Sequence, residues 1–230
     1  MCSAYTLTQP GADIIRSFHL AGESDFQPKY NIRPSNRVPI ITQGEDKGIS
    51  TFYWGISPGF AKNKAIAEKL YNLRLETIAE SSFFRNALEQ RRCLIPADGF
   101  YAWRQISSKG QVPYRYFISE NKLFAFAGLW EEFEDVQGET IHTFSIITTM
   151  SNDVIAQTSP RMPLIFSIDD GLAWLDNATD LALKQLDSLY NDELTGFTVS
   201  PKVNQHGYDD PKLIEPATPA DQFGNYSLFD

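Results

Sequence analysis

The sequence predicts an α+β fold built on a largely antiparallel, barrel-like β-sheet with a few flanking helices. Three observations carry this. Short β-type runs recur with turn residues between them, helical spacing is confined to a few segments, and the two do not alternate in βαβ fashion. In chain order, a Pro10-Gly11 turn precedes a helix over Ala12–Phe18. Strands are expected at Val38–Ile41 and Ile49–Trp54, followed by apolar residues at helical spacing over Thr77–Glu89. Further strands follow at Cys93–Ile95, Phe100–Arg104, Tyr114–Ile118, Leu123–Trp130 and Thr140–Thr149. Asp153–Gln157 reads as a short helix, Met162–Phe166 as a strand, and Gly171–Leu189 as two helices broken near Asn177-Ala178. Phe197–Ser200 is the last strand, and the Pro-, Asp- and Gly-rich stretch beyond Pro211 reads as surface coil. One domain over 1–230 is expected, with an irregular tail over 211–230.

Composition narrows the function. Hydrophobic residues at 42% and charged residues at 21% describe a globular chain, not a disordered or fibrous one. No apolar stretch approaches the roughly 18 residues that span a bilayer. The N-terminus lacks the basic and apolar regions of a secretion signal, so a cytoplasmic protein without a membrane partner is expected. Net charge is −9, yet residues 1–122 carry 16 Lys+Arg against 11 Asp+Glu, whereas 123–230 carry 4 against 18. Screening confines each field to about 10 Å, so a basic face can bind phosphate on an acidic protein. A solvated acidic C-terminal half explains the same numbers. With two cysteines, three histidines and no CxxC pair, neither a metal site nor a cofactor is expected. Cys93, in an apolar strand, reads as a buried small hydrophobe.

Cys2 is the first candidate for chemistry. Removal of Met1 would leave an amine and a thiol on adjacent carbons, with ordinary pKa values of about 7.7–8.0 and about 8.5. Such an aminothiol condenses with an aldehyde to an imine and then closes to a thiazolidine. A cysteine at position 2 without that use is the plain alternative. Trp54 and Phe60 are candidate stacking surfaces for bases, with core burial as the alternative for each.

Two central stretches, Asn72-Leu73-Arg74-Leu75-Glu76-Thr77 and Arg92-Cys93-Leu94-Ile95-Pro96-Ala97-Asp98-Gly99-Phe100-Tyr101-Ala102-Trp103, resemble SOS-response-associated peptidase (SRAP) proteins. There the corresponding stretches read close to N-A-R-A-E-T and R-C-L-I-P-A-D-G-F-Y-E-W. Tyr30-Asn31-Ile32-Arg33-Pro34 is similar to the family's Y-N-I-A-P, and Trp54-Gly55-Ile56-Ser57-Pro58 to W-G-L-I-P. Arg161-Met162-Pro163 matches its R-M-P, and Val199-Ser200 with Val203-Asn204 its closing V-S…V-N. Blocks in this order, from Cys2 to Pro216, are far more specific than one short motif.

The resemblance implies an abasic-site sensor whose exposed Cys2 forms a thiazolidine with the ring-opened sugar in single-stranded DNA, with Met1 removed by self-processing (an autopeptidase activity) or by an aminopeptidase. A monomer is expected. Cys2 would be the nucleophile, Asn72 would position it, and Arg74 would grip a phosphate, with an ion pair to Glu76 as the alternative. Asn31 and Trp54 join Arg74 as DNA-binding candidates, as does Arg161, for which a structural salt bridge is the alternative. The pattern breaks at three places. The family glutamate of G-F-Y-E-W is Ala102, the histidine two residues before R-M-P is Ser159, and the arginine of M-C-G-R is Ala4. The glutamate and histidine serve proton transfer, which neither alanine nor serine supplies near neutral pH. Two further readings therefore stand beside the first: a degenerate single-stranded-DNA-binding module without covalent chemistry, and a thiol hydrolase, carried only by the family's name.

Overall fold

The computed structural model describes residues 2–44, 48–55, 71–80, 84–119, 122–134, 137–185 and 194–226. Among the described residues thirteen strands form two sheets: β1 (Tyr5–Leu7), β2 (Lys29–Ile32), β3 (Arg37–Thr42), β4 (Ile49–Trp54), β5 (Asn72–Arg74), β6 (Arg92–Ala97), β7 (Gly99–Gln105), β8 (Gln111–Ile118), β9 (Phe124–Glu134), β10 (Thr140–Met150), β11 (Arg161–Pro163), β12 (Ile165–Phe166) and β13 (Leu194–Thr198). Five α-helices accompany them among the described residues: α1 (Gly11–Ser17), α2 (Leu75–Glu80), α3 (Arg85–Gln90), α4 (Ile168–Asp176) and α5 (Thr179–Gln185). The fold class is the expected one.

In the first sheet β10, β4, β3, β6 and β9 pair in a closed ring, because β9 returns to pair with β10. Every pairing in the ring is antiparallel except β4 with β10. Where β4 ends, β5 takes over beside β10 in parallel, setting Asn72 against Ile146 and Arg74 against Thr148. The second sheet runs β13-β8-β7-β1-β2. Tyr5 of β1 packs its ring edge-on against Trp54 at 5.3 Å and Phe126 at 5.5 Å, so the second sheet closes over the barrel's core.

The chain passes from one sheet to the other at Asp98, which is fully buried between β6 and β7. Its carboxylate accepts from Thr6 Oγ1 at 2.6 Å, from Thr8 Oγ1 at 2.7 Å and from the Thr8 backbone N–H, and it pairs with buried Arg115 at 3.4 Å. Gly99 lets that network close: a Cβ there would lie 2.8 Å from Thr6 Oγ1 and from the Arg115 guanidinium. The N-terminal strand is thus pinned by a charge pair as well as by its ladder.

Several expectations change. Asp153–Gln157 forms hydrogen-bonded turns, not a helix. Asn152 Oδ1 takes the Ile155 N–H at 3.1 Å, a side-chain bond that competes with helical pairing. Met162–Phe166 divides at Leu164, because β11 pairs with β10 while β12 crosses to β9. Thr77–Glu89 becomes α2 and α3, with 81–83 outside the described residues. The break at Asn177-Ala178 separates α4 from α5, and the end of that expected helix pair, 186–189, lies outside them too. Ser167 caps α4 by accepting from Asp170 N at 3.1 Å. Beyond Pro211, Leu213 is buried in a second small cluster with Ala4, Tyr101, Val199 and Val203. None of the described helices is long and apolar enough to cross a membrane.

A candidate aminothiol site at the seam of the two sheets

Cys2 lies at the junction of barrel and second sheet, 2% exposed. Asn72 reaches it from β5, where its Nδ2 donates to the Cys2 carbonyl at 2.6 Å. The bond spans the seam, from β5 to the residues before β1. Asn72 Oδ1, also buried, has no hydrogen-bond partner among the described residues, and such a group calls for a ligand or a role. The Cys2 sulfur makes a long contact to the Ala4 carbonyl at 3.8 Å. Burial pushes its thiol pKa up to about 12. Alkylation of Cys2 in the folded protein is therefore expected to rise about tenfold per pH unit, without a plateau between pH 7 and about 10. Iodoacetamide kinetics resolved by peptide mass check this, and a plateau near pH 8.5 would contradict it.

Arg74 stands two residues along β5 from Asn72, on the same side of the strand and about 7 Å further on. It is exposed, and no hydrogen bond or ion pair holds it among the described residues. The expected alternative, a pair with Glu76, does not form. Glu76 instead takes the Arg161 guanidinium in a fork, at 3.1 and 2.9 Å, which holds its carboxyl below the usual carboxylate range. Arg161 also donates to the Thr148 carbonyl at 2.6 Å, so its donors are engaged by the structural alternative.

Burial bears on two other candidates. Trp54 is fully buried, its indole N–H bonded to the Tyr71 carbonyl at 2.8 Å, so no base can stack on it. Its apolar character was legible, but not whether the ring faced water. Asn31 is 7% exposed, and its amide spans the Val203 and Tyr208 carbonyls at 3.1 and 2.9 Å. It fastens the C-terminal segment and lines the groove that also holds Lys29 and Arg37. Phe60, the other stacking candidate, and Met1 lie outside the described residues.

At the departures from the family pattern, Ala102 is 6% exposed on β7, opposite Tyr114 of β8. Ser159 spends its hydroxyl on the Arg161 carbonyl at 2.7 Å. A cleft of about 460 Å3 is lined by Arg104, Tyr114, Tyr116, Gln157 and Thr158 among others, and by neither Ala102 nor Ser159. Among the described residues no group of three or more His, Cys, Asp or Glu could hold a metal ion.

Sequence reasoning missed Arg33. Its guanidinium lies 5.3 Å from the Trp103 ring centroid, donates to Asn31 Oδ1 at 2.8 Å and to the Val203 carbonyl, and lines a groove of about 530 Å3 with Lys29, Arg37 and His206. The signal was present: Tyr30-Asn31-Ile32-Arg33-Pro34 carries an arginine where the resembling pattern has alanine.

The model of the family described as SOS response associated peptidase (SRAP) matches residues 1–206. Abasic site processing protein YoqW of Bacillus subtilis is 36% identical over 94% of this chain and 99% of its own length. Abasic site processing protein HMCES of Rattus norvegicus is 27% identical over 84% of this chain and 66% of its own length. A crystal structure of a Bacteroides thetaiotaomicron protein superposes with a TM-score of 0.80 at 22% identity, over 94% of this chain and 100% of that one, a likeness of fold.

Proposed function

Because the chain belongs to the SOS response associated peptidase family, we propose that it processes abasic sites in single-stranded DNA by covalent capture on Cys2 once Met1 is gone. The observation that carries this reading is the Asn72 bond to the Cys2 carbonyl at 2.6 Å, with Arg74 exposed on the same short strand. The freed amine adds to the ring-opened sugar's aldehyde and water leaves, giving an imine. The sulfur then adds to the imine carbon, the thiol proton ends on nitrogen, and the thiazolidine closes. Asn72 fixes the cysteine backbone, and its unpaired Oδ1 suits the new amine N–H or a sugar hydroxyl. Arg74 takes a flanking phosphate. Trp54, Asn31 and Arg161 support the site without touching the strand.

Met1-free protein incubated with a single strand bearing one abasic site is expected to give a slow covalent product that disappears in Cys2→Ala. Absence of any such product rejects the reading. The losses at Ala102 and Ser159 favour a second reading, a module that binds single strands without covalent chemistry. It predicts salt-sensitive binding and no crosslink.

A further inference from the structure

The turn from β2 to β3 carries two arginines that no carboxylate answers among the described residues. Arg33 and Arg37 flank Pro34-Ser35-Asn36, and both line the groove of about 530 Å3, together with Lys29 and His206. The turn is stiff. Asn36 Oδ1 accepts the Arg33 N–H at 2.9 Å, the Asn36 N–H returns to the Arg33 carbonyl at 3.0 Å, and Ser35 is held in the left-handed region at φ 74°. Two bonds moor it to the end of β4: Ser35 N–H to the Trp54 carbonyl at 2.8 Å, and Trp54 N–H to the Asn36 carbonyl at 2.9 Å. Arg33 is half-buried, and its partners are all neutral. Nε donates to Asn31 Oδ1 at 2.8 Å, Nη2 to the Val203 carbonyl, and the guanidinium lies over the Trp103 ring. Nη1 has no hydrogen-bond partner among the described residues. Arg37 is exposed, and meets the Tyr53 ring at 5.4 Å and the Thr51 carbonyl at 3.4 Å. Asp209 also lines the groove, but its oxygens already take the Tyr30 and Asn31 N–H groups at 2.6 and 3.0 Å and Lys29 Nζ at 3.1 Å.

Resting on the capture reading above, we infer that this groove is a second phosphate site, which holds the backbone of the single strand away from the lesion. A guanidinium fixed by two neutral acceptors and stacked on an indole has its direction set in advance, so its free nitrogen meets a phosphate oxygen with little further loss of side-chain freedom. Arg37, at the start of β3, offers a second cation on the same stiff turn. A partly desolvated cation among neutral groups is costly until an anion answers it, and a phosphodiester is such an anion. The groove gathers three cations, Lys29, Arg33 and Arg37, against one engaged carboxylate on a chain of net charge −9. Screening keeps that field local, within about 10 Å, so the acidic remainder of the chain does not cancel it. β2 ends the order of the second sheet, so the groove lies on an open border of the fold. Contacts of this kind reach phosphates and not base edges, and they hold a strand of any sequence. Position 33 is alanine in the resembling Y-N-I-A-P pattern, so this phosphate grip is a property of this chain's own residues.

The test uses an undamaged oligothymidylate, so it needs no covalent step. Fluorescence anisotropy over a salt series gives log K against log[salt], with a slope of about −0.7 for each phosphate neutralised on a single strand. Arg33→Gln and Arg37→Gln are each expected to flatten the slope by about 0.7, and the double variant by about 1.4. Arg33→Lys keeps the charge and the parent slope. Arg16→Gln, on α1 and outside the groove, also leaves the slope unchanged, which separates a local contact from a loss of net charge. Arg33→Gln gives up the bonds to Asn31 and Val203 as well; should thermal melting show it poorly folded, Arg37→Gln carries the test from the exposed side of the groove. Parent slopes in the folded neutral variants overturn the inference, and so does a parent that binds no undamaged strand. Saturable binding of inorganic phosphate that is lost in Arg33→Gln while the strand slope stays put assigns the groove to the free ion, and overturns it too. A Met1-free parent that binds the plain strand with the expected slope yet captures no abasic strand sinks the capture reading and leaves the groove standing.

Discussion

Replacing Ala102 with glutamate and Ser159 with histidine together is expected to speed capture of an abasic strand by about 10²–10⁴-fold over the parent chain. The reason is geometric as well as chemical. β1 and β7 pair with Tyr5 opposite Phe100 and Thr6 opposite Gly99, so continuing the ladder sets Ala102 across from Ser3, the neighbour of Cys2. A carboxyl at 102 would enter a nearly dry position, where desolvation raises its pKa and suits it to donate a proton to the opening sugar. An imidazole at 159 would titrate near neutral pH and move protons during imine formation. The present hydroxyl at 159 is instead bound to the Arg161 carbonyl at 2.7 Å. Each single replacement should recover less than the pair, since acid and base act in sequence on one intermediate. Single-turnover kinetics on Met1-free protein read the gain. An unchanged rate in a folded double variant would mean that proton transfer does not limit capture here.

What the sequence disclosed, and what it withheld, divides along a physical line. Long strands such as Thr140–Met150 announce themselves by side-chain type, and the closed ring follows once enough of them exist. β1, β2 and β5 have three, four and three residues, too few to show an alternation, yet they carry or border Cys2, Arg33 and Asn72. The motif blocks located Asn72 and Arg74 where periodicity could not. Charge partners escape a local window for a related reason. Proximity in sequence offers Glu76 to Arg74 as the alternative to a phosphate, whereas Arg161 arrives from β11 across β10 with both guanidinium nitrogens in place. Such a pairing depends on strand order, which no local window contains. Trp54 and Asn31 are ambiguous in the same way. Both residue types serve surfaces and cores, and only the layer packed above decides between them.

Asp98→Ala is expected to cost about 3–5 kcal/mol of folding stability, the range for removing one member of a buried charge pair. It would take the carboxylate away from Arg115, which is itself almost fully buried. It would also free the hydroxyls of Thr6 and Thr8, which now hold the start of the chain against the crossover at Asp98-Gly99. The site should feel this beyond stability, because the strand so released is the one that presents Cys2 to Asn72. Urea unfolding gives the stability term, and alkylation of Cys2 well below the transition reports the local one, expected to accelerate as the sulfur loses its cover. Asp98→Asn, which keeps an acceptor for the threonines but not the charge, should fall between parent and alanine variant. If Asp98→Ala unfolds at the parent's urea midpoint, the network is ornamental, and the placement of Cys2 must come from the β1 ladder and Asn72 alone.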